Sequence, residues 1–148
     1  EKCEMREILF KAKRKDNGEW AEGYLAKGKW YLDEKEIYAI LPLDLCFYPN
    51  CEINEWIEID PETLCRYTGL TNKNGKKIWE NDICSFKRGK NYYIGKIVWN
   101  KKTAAFEMWF DVTVGAYGEK ATKTMLLVNI SGIEVIGNIF DNPELLEK

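Results

Sequence analysis

The sequence predicts a mainly β fold, and three observations carry that prediction. Short apolar runs are broken by turn signals about every 8–12 residues, the spacing expected of all-β chains. Within the runs, apolar and polar residues alternate, as they do in strands whose successive side chains face opposite sides. Aromatic residues make up 14% of the chain, with six Trp and eight Tyr, and large rings suit half-buried sheet surfaces. The length of 148 residues fits a single domain, 1–148, whose core needs neither disulfide nor metal.

The elements follow in order. Residues 1–4 precede Met5 and read as an addition ahead of the natural start. Met5–Ala12 places Ile8, Phe10 and Ala12 on one face, and Asp16-Asn17-Gly18 then offers a hairpin turn. Glu19–Ala26, with Trp20, Tyr24 and Leu25, is the return strand; Gly28-Lys29 predicts a second turn before Trp30-Tyr31-Leu32. Ile37–Leu41 reads as a strand ended by Pro42, and Ile53–Ile59 as another with Ile53, Ile57 and Ile59 on one side. One short helix is expected near residues 61–68. Asp60 suits its N-cap, Pro61 its first position and Glu62 its positive end. Gly69 suits a left-handed residue that stops it, with Leu70 as the accompanying apolar contact. Asn74-Gly75 predicts a turn before Ile78-Trp79.

Five further strands are expected over Asp82–Phe86, Tyr92–Trp99, Ala104–Val112, Lys123–Ile130 and Ile133–Phe140. In the second of these, Tyr92, Ile94, Lys96 and Val98 share one face, and Tyr93, Gly95, Ile97 and Trp99 the other. Five short strands so closely spaced predict a small barrel-like core, SH3-like or partly open.

Composition narrows the chemistry. A net charge of −2 gives no general attraction to nucleic acid or to an anionic membrane. No run approaches the roughly 18 apolar residues of a membrane-spanning helix, and EKCEMREILFKAKRK lacks the apolar stretch of a signal peptide. A cytoplasmic chain is expected, with Cys3, Cys46, Cys51, Cys65 and Cys84 as reduced thiols. The absence of histidine removes the usual general base, the Ser-His and Cys-His nucleophile pairs and imidazole metal ligands.

Each candidate site has a plainer alternative. Cys46 and Cys51 are spaced like half a zinc site, but Cys65 and Cys84 form no second knuckle, so no metal or other cofactor is expected. Gly69 and Gly75-Lys76 miss the phosphate-loop spacing, and Lys77 replaces its Ser or Thr. Gly115-Ala116-Tyr117-Gly118 lies between strands and reads as a turn. Glu55, Glu58, Asp60, Glu62, Glu80 and Asp82 supply enough carboxylates for a hydrolase, although such groups more often cap and solvate. Lys87, Arg88 and Lys90 beside Tyr92 and Tyr93 could neutralise phosphates while bases stack on the rings; Lys11, Lys13, Arg14 and Lys15 form a second basic run. Lysines in hairpins also serve simply to block edge-to-edge aggregation.

Four stretches carry a family resemblance: MREILFKAK, IDPETLCRYTGLTNKNGKKIWENDIC, IGKIVWN and EVIGNIFDNPELL. In this order, from residue 5 to about 146, they resemble the YopX family of phage and prophage proteins. The resemblance implies a largely β fold, an origin in a bacteriophage or another mobile element, and a bacterial host cell. It implies no reaction and no functional residue. The family commonly has Gly where this chain has Asn81, which marks a conformational position, since Asn is the best substitute for Gly at positive φ. Cys65 and Arg66 stand where the family often has small or polar residues, which argues against a shared nucleophile. The reading is a non-enzymatic β domain acting through protein contacts, by self-association or with a host or phage partner. A nucleic-acid-binding module is the alternative, and a carboxylate-dependent hydrolase the third.

Overall fold

A computed structural model describes residues 7–44 and 55–147, in two compact units, Glu1–Tyr67 and Thr68–Lys148. In the first unit, β1 (Phe10–Lys13) pairs antiparallel with β2 (Trp20–Lys29). Their turn is tied by the Arg14 N–H donating to Glu19 O and the Glu19 N–H to Asn17 Oδ1, each at 2.9 Å. β3 (Glu36–Pro42) pairs with β2, and the short β4 (Ile57–Glu58) with β3. Ala12, Ala21, Ile40 and Ile59 form the buried centre, with Phe10, Leu25, Tyr38, Ile57 and Leu64 packed against it. Ile53 lies outside the described residues.

Gly28-Lys29 is not the turn. Gly28 pairs with Ile37 and Lys29 with Glu36 inside the ladder. The chain reverses over residues 30–35, where Trp30 N donates to Lys35 O and Asp33 Oδ1 accepts from the Lys35 N–H. Asp33 supplies the side-chain acceptor that stabilises such turns.

The expected helix near 61–68 shrinks to one 3-10 turn, Pro61–Thr63. Its start is as expected: Asp60 Oδ1 accepts from the Glu62 N–H, and Pro61 opens the turn. Thr63 then diverts the chain, because its hydroxyl accepts from Lys13 N and donates to Asp60 O, each at 2.8 Å. Leu64 is extended, and β5 (Cys65–Thr71) pairs with β1 through Phe10–Arg66 and Lys11–Cys65. Gly69 therefore stops no helix; it takes its positive φ of 84° inside a strand. A ladder partner outweighs the local helix signals, and Tyr67 and Thr68 favour strands in any case.

In the second unit, Thr68–Thr71 of β5 neighbours β6 (Lys77–Trp79). Asn72 Oδ1 accepts from the Asn74 and Lys76 N–H groups, which shapes the expected Asn74-Gly75 turn. The chain then turns a tight corner: buried Asp82 accepts from the Trp79 N–H at 2.9 Å, and Asn81 has φ 68°. That is the left-handed conformation its place in the sequence suggested.

β7 (Asp82–Arg88), β8 (Asn91–Asn100), β9 (Ala105–Val114), β10 (Glu119–Leu126) and β11 (Glu134–Asn138) form one antiparallel sheet in the order β10-β9-β8-β7-β11. The strand expected through Ile130 ends at Leu126 and continues as a 3-10 turn, Leu127–Asn129. One face of the sheet carries Cys84, Phe86, Ile97, Met108 and Phe110 into a core completed by Ile78, Leu127, Ile130 and Ile133. The described strands thus form antiparallel sheets with open edges and no closed barrel. Among the described residues no helix is long and apolar enough to cross a membrane.

Candidate functional site

The basic hairpin expected from Lys87, Arg88 and Lys90 joins β7 to β8. Lys87 pairs with Tyr92 and Arg88 with Asn91, so the cations and the first tyrosine share the hairpin end. The Lys87 Nζ lies 5.8 Å from the Tyr92 ring centre, and Tyr92 is 71% exposed. Tyr93 points the other way, as the two-residue period requires. Its half-buried ring packs against the core, 5.2 Å from Phe86 and 5.3 Å from Phe110, on the face opposite Tyr92.

A neighbouring aromatic takes the place expected of Tyr93. Trp109 on β9 stands opposite Lys96 on β8, on the face that carries Tyr92 and Ile94. Lys96, Trp109, Asp111, Thr122, Leu145 and Leu146 help to line a groove of about 460 Å³ between this face and the 3-10 turn Pro143–Leu146. The Thr122 hydroxyl donates to Asp111 Oδ1 at 2.8 Å. Sequence reasoning missed Trp109 because it is distant in the chain from every basic run. The register of β8 with β9 is what brings it to Lys96.

Glu107 is the buried carboxylate of this region. It accepts from Asn100 Nδ2 at 3.0 Å, the Thr103 hydroxyl at 2.9 Å and Trp109 Nε1 at 3.2 Å. These donors, Asn100 foremost, hold its carboxyl below the usual range, against the opposing effect of burial. Three donors fixing one carboxylate anchor the Trp109 ring and leave little capacity for acid–base work.

The second basic run is engaged within its own unit. Lys11 and Lys13 lie 5.0 and 5.6 Å from the Trp20 ring centre, Arg14 bonds Asp16, and Lys15 bonds Glu58 at 2.8 Å. Of the candidate carboxylates, Glu58 thus pairs with Lys15, Asp60 caps a turn and Asp82 holds a corner. Glu55 and Glu62 are exposed and Glu80 is half-buried. Among the described residues no cluster of three or more Cys, Asp or Glu is placed to hold a metal ion. Cys65 and Cys84 are buried, and Cys65 Sγ donates to Thr63 O; Cys3, Cys46 and Cys51 lie outside the described residues. Gly115-Ala116-Tyr117-Gly118 is the turn between β9 and β10.

The first unit offers a different surface. Every residue from 27 to 36 is exposed, and Tyr31 and Leu32 protrude at 86% and 79% exposure. Beside them Trp30 meets Trp56 edge to face at 5.7 Å. Together with Ile37, Ala39 and Leu41, the two rings line a mainly apolar groove of about 350 Å³.

The YopX protein family matches residues 9–147, which is nearly the whole chain. The chain belongs to the YopX family. The expected resemblance is thereby established, and the family's molecular function is unknown. No curated protein matches the chain.

Proposed function

We propose that this YopX protein is a non-enzymatic, phage- or prophage-derived β protein that acts through protein contacts in the host cytoplasm, by self-association. The observation that carries this reading is the bare distal half of the β2–β3 hairpin. A two-stranded hairpin exposed on both faces is marginal in water, and large apolar patches on a soluble protein mark interaction sites. Here one short stretch presents both a knob, Tyr31 and Leu32, and a hole lined by Trp30, Ile37, Leu41 and Trp56. A surface that carries both parts of a contact is self-complementary, as a two-fold interface requires. Charge does not oppose this docking: Lys27 pairs with Glu36 at 3.1 Å, and Lys29 and Lys35 balance Asp33 and Glu34 along the hairpin.

Analytical ultracentrifugation across micromolar concentrations tests the reading. The wild-type chain is expected to dimerise reversibly, and Leu32→Glu, which alters a side chain with little role in folding, to remain monomeric. A wild-type monomer throughout, or a dimer indifferent to Leu32→Glu, would overturn it.

A further inference from the structure

We propose that the outer face of the five-stranded sheet binds single-stranded nucleic acid, with one base on Tyr92 and another on Trp109. This goes beyond self-association and uses residues of the second unit alone. Three features converge on this face. The first is a pair of accessible rings: Tyr92 projects from β8, and Trp109, partly exposed, stands opposite Lys96, four residues further along that strand. Four residues span about 13 Å, so the rings cannot hold adjacent stacked bases. They suit bases splayed apart, as single strands allow and duplexes do not.

The second feature is charge. On β8, β9 and β10, side chains two residues apart share a face, which puts Lys96 and Lys120 with Trp109 and Thr122. Lys87 joins them beside Tyr92, and Arg88 and Lys90 extend the cations to the hairpin end. Of the carboxylates that these three strands place on the face, Glu107 is buried under its three donors. Asp111 is exposed, and it is the acceptor available to the exocyclic amine of a base. Lys87, Lys96 and Lys120 thus face Glu107 and Asp111 on the strands, with Glu144 and Glu147 flanking the Leu145-Leu146 wall, in a chain of net charge −2. The third feature is shape: a groove of about 460 Å³ has room for a base between the sheet and Leu145-Leu146. The ring's indole N–H is held by Glu107, so the Trp109 platform is set before a ligand arrives.

Fluorescence anisotropy tests this with the full chain and labelled mixed-sequence oligonucleotides: single-stranded DNA, single-stranded RNA and duplex DNA. Both single strands are expected to bind more tightly than duplex. Tyr92→Ala should weaken binding by about 5- to 150-fold, the usual worth of one stacked base. Trp109→Phe should weaken it less, because a smaller ring remains. About three phosphate contacts give a log–log salt slope near −2, and Lys87→Gln with Lys96→Gln should flatten it by about 1.4. Circular dichroism of each variant separates lost binding from lost fold, and Tyr92→Ala, at an exposed ring, serves as the control for Trp109. No single-strand binding at low salt, equal binding of duplex, or indifference to Tyr92→Ala would overturn the proposal. Displacement of the strand by an acidic aromatic peptide at lower concentration would reassign the face to a protein ligand.

Discussion

The two units bury apolar surface on different scales. Among the described residues the first closes around Ala12, Ala21, Ile40 and Ile59, two of the four being alanines. Among the described residues the second closes around Phe86, Phe110, Met108, Leu127, Cys84 and four isoleucines, with Tyr93, Phe106 and Met125 packed against them. Small side chains let strands approach closely but remove little surface from water. The same unit leaves Trp30, Tyr31, Leu32 and Trp56 uncovered at its hairpin. Aromatic surface that could have built a larger interior is left outside, available to another chain. In the second unit the rings are divided by strand period, with Phe86, Tyr93 and Phe110 inward and Tyr92 and Trp109 outward.

The largest effect is expected where the second core is densest. Ile97 is fully buried, and Ile97→Ala should cost about 2–5 kcal/mol through lost transfer energy and a cavity. Leu25 in the first unit is only half-buried, and Leu25→Ala should cost clearly less. Denaturant titration of both decides it. Equal losses would mean that the first unit depends on its periphery as much as the second does on its centre.

Two strand glycines within the second unit are glycine for different reasons. At Gly95 the backbone is extended, but an added Cβ would run into the carbonyl of Trp109 on the neighbouring strand. Gly95→Ala should therefore cost about 1–3 kcal/mol or more as the strands separate. At Gly69 a Cβ meets nothing within 4 Å, and the difficulty is the φ of 84°. Gly69→Val should cost about 1–3 kcal/mol from backbone strain, Gly69→Asn less, and Cys65→Ser less than Gly69→Val. If Asn and Val were equally harmful at position 69, strain would not be the reason for its glycine.

Gly69 also shows where the sequence could be read and where it could not. Its left-handed conformation was legible from residue type and neighbours. Its setting was not, because the hydroxyl of Thr63 and the pairing with β1 involve residues about fifty positions earlier, beyond any local signal. Asn81 was legible for the same local reason, and the alternation from Tyr92 to Trp99 correctly sorted both faces of β8. That sorting already implied that Tyr92 and Tyr93 could not serve a ligand on the same face. Trp109 and Glu107 were invisible as site residues, because only strand register brings them to Lys96 and Val98.

Glu107 offers the smallest and most specific effect. Its carboxylate accepts from Asn100, Thr103 and Trp109, and those bonds favour the charged form, so its folded pKa lies below the ordinary carboxylate value. A carboxyl whose pKa falls on folding contributes stability that is fully present above the unfolded value of about 4.3. That contribution is lost as pH falls through the folded value. Glu107→Gln keeps the size and one acceptor oxygen but removes the charge. It should cost about 1–2 kcal/mol near neutral pH, between the usual worth of hydrogen bonds to neutral and to charged groups, because one acceptor oxygen remains. The gap between variant and wild type should narrow as pH drops below the carboxylate range, because the wild-type side chain then becomes neutral as well. Chemical denaturation of both proteins across that range gives the difference directly. A gap that stays constant with pH would show that shape, not charge, fixes this corner of the sheet, and the preset position of Trp109 would then need another cause.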